Sequence, residues 1–206
     1  MNKCDSSFTP FFTVVIPTYN CAELLERALS SVLLQTYQNF EIIVVDNSST
    51  DNTQDILLSL DNEKLRVIIV NNNGVIAHSR NKGIENARGE WIAFLDADDV
   101  WKPEKLEKVR STINHNPEVA LVCHDEWHVV NGERKNRLMY GPAERNLYER
   151  LLFKGNCLST SAVCLQKDVA KKSGGFSERK DFITVEDYEY WIRLAQEGEF
   201  FLSMRY

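Results

Sequence analysis

Apolar positions in the first hundred residues follow two alternating rhythms. Residues 12–16 and 40–45 are nearly continuous apolar runs, the pattern of strands buried on both faces. Between them Leu24, Leu25, Ala28, Leu29, Val32 and Leu33 recur at helical spacing. Ile56, Leu57 and Leu60 then mark a short helix, and 65–70 a third strand. Ile76, Ile84 and Ala87 mark a helix followed by Gly89, and 91–95 is a fourth strand. This β-α-β-α-β-α-β order predicts an α/β fold with a mostly parallel sheet covered by helices.

In such sheets ligands bind beyond the carboxyl ends of the strands. The polar clusters fall at those ends: 18–20 after the first strand, 46–51 after the second, 96–99 after the fourth. The second half is less regular. Pro103 opens a helix continued by Leu106, Val109 and Ile113, and 119–123 and 127–130 read as strands. Asn131-Gly132 is a tight-turn signal, and 134–145 is polar and unpatterned, which predicts a mobile loop. A further strand is expected at 161–165, and a helix over 186–196 that stops at Gly198.

Composition narrows the classes. The chain of 206 residues suits one domain, and its net charge of −6 gives no general attraction to nucleic acid. An anionic ligand must therefore be met by a local cation or a metal. No apolar run approaches the ~20 residues of a membrane span, and the N-terminus lacks the apolar core of a signal peptide. The five cysteines form no C-x-x-C pair, so free thiols and a cytoplasmic location are expected.

Several clusters could carry chemistry. Asp96-Ala97-Asp98-Asp99 places three carboxylates after a buried strand; hard oxygens suit Mg²⁺ or Mn²⁺ bridging to a diphosphate, and helix capping is the plainer reading. Asp46 or Asn47 could bond a nucleobase edge, while Asp51 suits a helix cap. Arg80 could steady a diphosphate by charge-assisted bonds. Glu186-Asp187 opens a helix, where acids are favoured by the dipole, and could equally supply a general base. His124 and His128 lie on a strand and turn, where residues four apart are distant, so zinc is not expected there.

Taken together these segments resemble family 2 glycosyltransferases. The resemblance rests on Val14-Val15-Ile16-Pro17-Thr18-Tyr19-Asn20, Val44-Val45-Asp46-Asn47-Ser48-Ser49-Thr50-Asp51, Arg80-Asn81-Lys82-Gly83, Asp96-Ala97-Asp98-Asp99 and Glu186-Asp187, in order across about residues 12–200. It implies the glycosyltransferase-A architecture, with a Rossmann-like sheet and helices on both faces. It also implies an extension over 1–11 and one catalytic domain over 12–206. The nucleotide-binding half would be about 12–100 and the acceptor-side half about 101–206, with further C-terminal sequence in many members.

Carried over by position, Pro17, Thr18, Tyr19, Asp46 and Asn47 would hold the nucleoside, and Arg80 would lie near the nucleotide. Asp96 and Ala97 would meet the ribose or donor sugar, and Asp98, with Asp96, the metal, Mn²⁺ or Mg²⁺. Asp187 would be the base, with Glu186 beside it. The implied reaction is inverting transfer from a nucleotide-sugar, UDP-sugar favoured, to a hydroxyl of a glycan or lipid-linked acceptor in cell-surface polysaccharide synthesis. Peripheral contact with the inner face of the plasma membrane is compatible with it. Asn47 departs from the family's usual Asp, which leaves the base open. The alternatives are a sugar nucleotidyltransferase, which would normally show a Gly-rich loop where Pro17-Thr18-Tyr19-Asn20 stands, and an inactive nucleotide-sugar-binding module.

Overall fold

The computed structural model describes residues 9–139, 147–196 and 201–204. Strand β1 (Phe12–Thr18) and strand β2 (Phe40–Asp46) are buried at every position, as their continuous apolar runs require. Helix α1 (Ala22–Leu33) connects them and buries Leu25, Ala28, Leu29 and Val32, one face of its turn. Helix α2 (Thr53–Ser59), β3 (Leu65–Ile69), α3 (Ile76–Asn86) and β4 (Trp91–Phe94) complete the expected alternation.

Then come α4 (Lys105–His115), β5 (Leu121–His124), β6 (Glu126–Val130), β7 (Glu133–Leu138), α5 (Leu147–Lys154), β8 (Cys164–Gln166), α6 (Lys167–Lys172), α7 (Glu186–Gln196) and β9 (Phe201–Met204). Seven strands form one sheet in the order β3-β2-β1-β4-β8-β5-β9. β3, β2, β1 and β4 pair in parallel, β8 is antiparallel to both β4 and β5, and β9 is parallel to β5.

Successive side chains of a strand point to opposite faces, and the core divides accordingly. Phe12, Val14 and Ile16 pack with Phe40, Ile42 and Val44 beneath α1 and α4. Val15, Ile92 and Phe94 pack on the other face with Ile84, Ala170 and the aromatics Tyr190 and Trp191 of α7. The result is the expected mostly parallel sheet with helices on both faces. α3 lies so close that a Cβ on Gly83 would stand 2.2 Å from Val15 Cγ1.

The second half departs from the expectations. Residues 134–138, expected in a mobile loop, belong to β7, which pairs with β6 as a two-stranded hairpin. Asn131 (φ 52°) and Gly132 (φ 79°) supply the two left-handed residues that such a turn needs. None of β7 is buried, so no apolar alternation marks it. The expected strand over 161–165 is a 3₁₀ turn, Thr160–Ala162, followed by the short β8. Helices α5 and α6 are too short to show a clear period. Residues 140–145 of the expected loop and the stop at Gly198 lie outside the described residues.

Candidate active site

Strands β1 and β2 run in register, so Thr18 lies beside Asp46. β4 sits against the other edge of β1, with Leu95 N–H donating to the Val15 carbonyl at 3.0 Å. β2 and β3 are added on one side of β1 and β4 on the other, so the β1/β4 border is a switch point. Connections diverge at such a border and leave a crevice. Thr18 and Asp96, which follow those two strands, flank it.

The loops after β1 and β2 are tied to each other. The fully buried Asp46 carboxylate accepts from Ser49 N–H (3.1 Å) and Ser49 Oγ (2.5 Å), and Ser49 Oγ accepts from Asn20 N–H (2.9 Å). Asn20 Oδ1 accepts from Thr50 N–H at 2.7 Å, and Asp51 accepts from Ala22 N–H at 3.1 Å. Asn20 and Ser48 hold left-handed φ of 48° and 54°, a conformation that costs non-glycine residues energy and collects at binding loops. Asn47 Oδ1 accepts from Asn72 N–H (2.9 Å), Thr18 and Pro17 are buried, and Tyr19 is exposed. Asp46 therefore organises its loop, and the open face there belongs to Tyr19 and the Asn47 amide group.

At the end of β4 the charges form a chain. Arg80 of α3, only 3% exposed, donates from Nη2 to Asp96 Oδ1 and from Nη1 to Glu186 Oε1, each at 2.8 Å. Burial works against its charge, but the two carboxylates outweigh it and hold the guanidinium above its ordinary pKa. Arg80 is expected from the sequence to steady a diphosphate; here each of its terminal nitrogens donates to a carboxylate, and the guanidinium thereby orients Asp96 and Glu186. Glu186, expected in a catalytic pair, is buried in that ion pair, and its Oε2 and the Arg80 Nε have no hydrogen-bond partner among the described residues.

Asp187 is half-buried and differently placed. Its Oδ1 accepts from Tyr188 N–H at 2.6 Å and its Oδ2 from Thr160 Oγ1 at 3.4 Å. Burial raises its pKa, and Glu186 and Asp96 push the same way, against the Tyr188 N–H and Arg80. Thr184, just before α7, holds φ at 76°, unusual for a β-branched residue.

The next residue of the same 3₁₀ turn reaches the backbone of Asp96. Ser161 Oγ accepts from Asp96 N–H at 3.0 Å, and the Ser161 carbonyl accepts from Trp101 Nε1 and Lys105 Nζ, both at 3.0 Å. Thr160 and Ser161 thus hold Asp187 and Asp96 from adjacent positions. Sequence reasoning missed both, because a Ser-Thr-Ser stretch carries no signal of its own.

Ala97 is buried, and Asp98 is exposed, with no hydrogen bond or ion pair among the described residues. Desolvation of its carboxyl raises the pKa of Asp99, although the residue as a whole is open to solvent. No group of three or more His, Cys, Asp or Glu among the described residues could hold a metal unaided. That suits Mg²⁺ or Mn²⁺, which take one or two carboxylates and complete their shell with phosphate and water oxygens. Asp98 is open for this, and Asp96 has one oxygen already bonded to Arg80. His124 is buried and pushed down to about 3 by desolvation.

The family model described as "Glycosyl transferase family 2" matches residues 13–172. A Bacillus subtilis glycosyltransferase named for teichuronic acid biosynthesis, TuaG, is 30% identical over 94% of this chain and 75% of its own. The Escherichia coli UDP-Glc:alpha-D-GlcNAc-diphosphoundecaprenol beta-1,3-glucosyltransferase WfaP is 30% identical over 90% of this chain and 70% of its own.

Among solved structures, S. aureus TarS in complex with UDP-GlcNAc superposes with a TM-score of 0.77 at 24% identity, over 94% of this chain and 55% of that one. A mannosyltransferase from Pyrobaculum calidifontis in complex with GDP-Man and Mn²⁺ gives 0.71 at 21% identity, over 97% of this chain and 56% of that one. Those likenesses establish the fold. The chain spans between 35% and 75% of the proteins first matched. No helix among the described residues is long and apolar enough to cross a membrane. From its family match and its kinship with TuaG and WfaP, the chain belongs to glycosyl transferase family 2.

Proposed function

We propose that this chain transfers a sugar from a nucleoside diphosphate sugar, UDP-linked, to a hydroxyl of a lipid-linked or glycan acceptor, with inversion at the anomeric carbon. One observation carries the reading: adjacent residues of one turn, Thr160 and Ser161, hold Asp187 and Asp96 at the end of β4. The donors printed for WfaP and TarS support a UDP-sugar, and the acceptor printed for WfaP supports a lipid-linked one.

Residues 12–206 act as one catalytic unit in this reading. Tyr19 and Asn47, shaped by Thr18 and the buried Asp46, meet the nucleoside. Asp98, with Asp96 beside it, would hold Mn²⁺ or Mg²⁺, which would supply neutralising charge for the leaving diphosphate. Asp187 takes the proton of the acceptor hydroxyl as that oxygen attacks the anomeric carbon from the side opposite the diphosphate. Its raised pKa makes it a better proton acceptor than an ordinary aspartate, while Arg80 keeps Glu186 and Asp96 from sharing that role.

Calorimetric titration of UDP, dTDP and GDP with and without Mn²⁺ tests the donor end. UDP should bind best, and Mn²⁺ should strengthen it about thirtyfold or more, as two or three kcal/mol of charge-assisted contact implies. Asp98→Asn should abolish the Mn²⁺ dependence without unfolding the protein. An unchanged Mn²⁺ effect in that variant removes Asp98 from the metal site.

A further inference from the structure

A cavity of about 650 Å³ opens between α4 and the β6–β7 hairpin. It touches the site described above at Asp98, Asp99 and Ser161, and none of Thr18, Tyr19, Asp46, Asn47, Arg80 or Asp187 lines it. The sheet order explains the separation. The nucleoside loops follow β1 and β2, whereas β5, which leads into the hairpin, lies beyond β4 and β8 on the opposite side. A group in this cavity would approach Asp98 from the side away from the nucleoside.

Its floor holds a cation with no direct salt bridge among the described residues; the carboxylates of Glu126 and Asp99 act on it only at longer range. Lys105 is 3% exposed, and its Nζ meets one oxygen, the Ser161 carbonyl at 3.0 Å, and lies 3.3 Å from the centre of the Trp101 ring. An ammonium has three donors, and burying one with donors left unmet carries a desolvation cost. Desolvation indeed pushes its pKa down to about 8. Lys102 and Arg134 add positive charge to the lining, and Arg134 sits over the partly exposed Trp127 ring at 5.6 Å. Acidic residues line the cavity too, and of these Asp125 is paired with Arg137 at 2.6 Å. A bound anion would complete the hydrogen bonding of Lys105, and the indole face of Trp127 would pack against a sugar ring.

We propose that this cavity is an acceptor subsite for a phosphate-bearing sugar, with the phosphate on Lys105 and the ring against Trp127. The assignment rests on the transferase reading for the word acceptor, since the cavity reaches the reaction centre through Asp98 and Ser161. The phosphate recognition itself does not depend on that reading.

The test titrates the protein, saturated with UDP and Mg²⁺, with GlcNAc 1-phosphate, inorganic phosphate and GlcNAc, and measures flotation on phosphatidylglycerol vesicles. GlcNAc 1-phosphate should bind best, inorganic phosphate more weakly, and GlcNAc weakest. Lys105→Met should weaken both phosphates about tenfold or more, the loss expected for a charge-assisted contact, with UDP affinity within about twofold. Lys102→Gln combined with Arg134→Gln, which leaves the buried lysine intact, should weaken them about threefold, as screened charges at a rim do.

Equal affinity for phosphates in wild type and Lys105→Met overturns the proposal, as does the absence of phosphate binding to the folded wild type. If Lys105→Met does not fold by circular dichroism, undiminished binding in the Lys102/Arg134 variant overturns it instead. Vesicle flotation without binding of soluble phosphates also overturns it and makes the hairpin a membrane contact. Loss of UDP binding alone counts against the donor reading, and the phosphate titration without UDP then still decides the cavity.

Discussion

Every residue of β1 and β2 is buried, whereas no residue of β6 or β7 is. The first pair owes its place to apolar area removed from water, at roughly 25 cal/mol per Å², and its register is set because a slip of one residue would turn its core face outward. The second pair is held by a left-handed Asn131-Gly132 turn and backbone pairing, with polar side chains on both faces. One half is therefore rigid and legible as a hydrophobic pattern. The other pair is exposed at nearly every position and leaves no such pattern. The candidate chemistry lies at the seam, where Arg80 and Asp96 of the first half meet Thr160, Ser161, Glu186 and Asp187 of the second.

The seam can be cut from the acceptor side first. Asp187→Asn should lower transfer about 10²–10⁴-fold, the span for a general base, with nucleotide affinity unchanged. Its pH dependence has a definite sign. The base works ionised, so the rate falls as pH drops through the pKa of Asp187, and burial places that limb above the ordinary aspartate range. The same shift means that the folded protein holds the proton more tightly than the unfolded chain. Ionised Asp187 thus costs stability above its folded pKa, and Asp187→Asn should melt no lower than wild type at neutral pH. A variant that keeps near-normal transfer with a matched donor and acceptor would end the base assignment; if Glu186→Gln alone stops transfer, the base is its neighbour.

Cutting from the nucleotide side should act on stability. Arg80→Met leaves two carboxylates facing each other without their cation, and a buried pair broken in this way costs about 3–5 kcal/mol. Urea denaturation measures it, and the double variant Arg80→Met/Glu186→Gln should recover part of the loss. A loss under about 1 kcal/mol in Arg80→Met would show that the halves are not coupled through this bridge. The smallest effect belongs to the hairpin. Lys135 and Glu133 are paired at 2.7 Å on an open surface, where such pairs contribute little. Lys135→Gln should shift stability by less than about 0.5 kcal/mol, and a larger shift would mean that the hairpin surface is not as permissive as its exposure suggests.

The hydrophobic rhythm located β1, β2 and β4 because they are buried throughout, and β3 because its short apolar run persists although none of it is fully buried. The same rhythm failed on β7, where no face is buried, and on the 3₁₀ turn at 160–162, where a short Thr-Ser-Ala segment offers no period. Within the site, Asp96, Asp98 and Asp187 could be found as carboxylates at strand ends and a helix start. The role of Arg80 could not, since free and committed guanidinium groups look identical in sequence. Asp46 was legible as a site residue but not as a loop organiser, because its partner Ser49 serves equally well as a helix cap.

From its residues alone the chain determines an α/β order with polar groups gathered at the carboxyl ends of parallel strands, and a set of spaced motifs that identify its family. Those are local properties, written in the periodicity of neighbours. Only the tertiary structure decides that Arg80 joins Asp96 to Glu186 across 16 and 106 residues of sequence, or that one turn reaches Asp96 across 65 and Asp187 across 27. It alone leaves Lys105 buried on a cavity floor without a direct salt bridge among the described residues. Contacts at such separations follow from how the sheet is ordered and how its faces pack, and no short stretch of the chain encodes them.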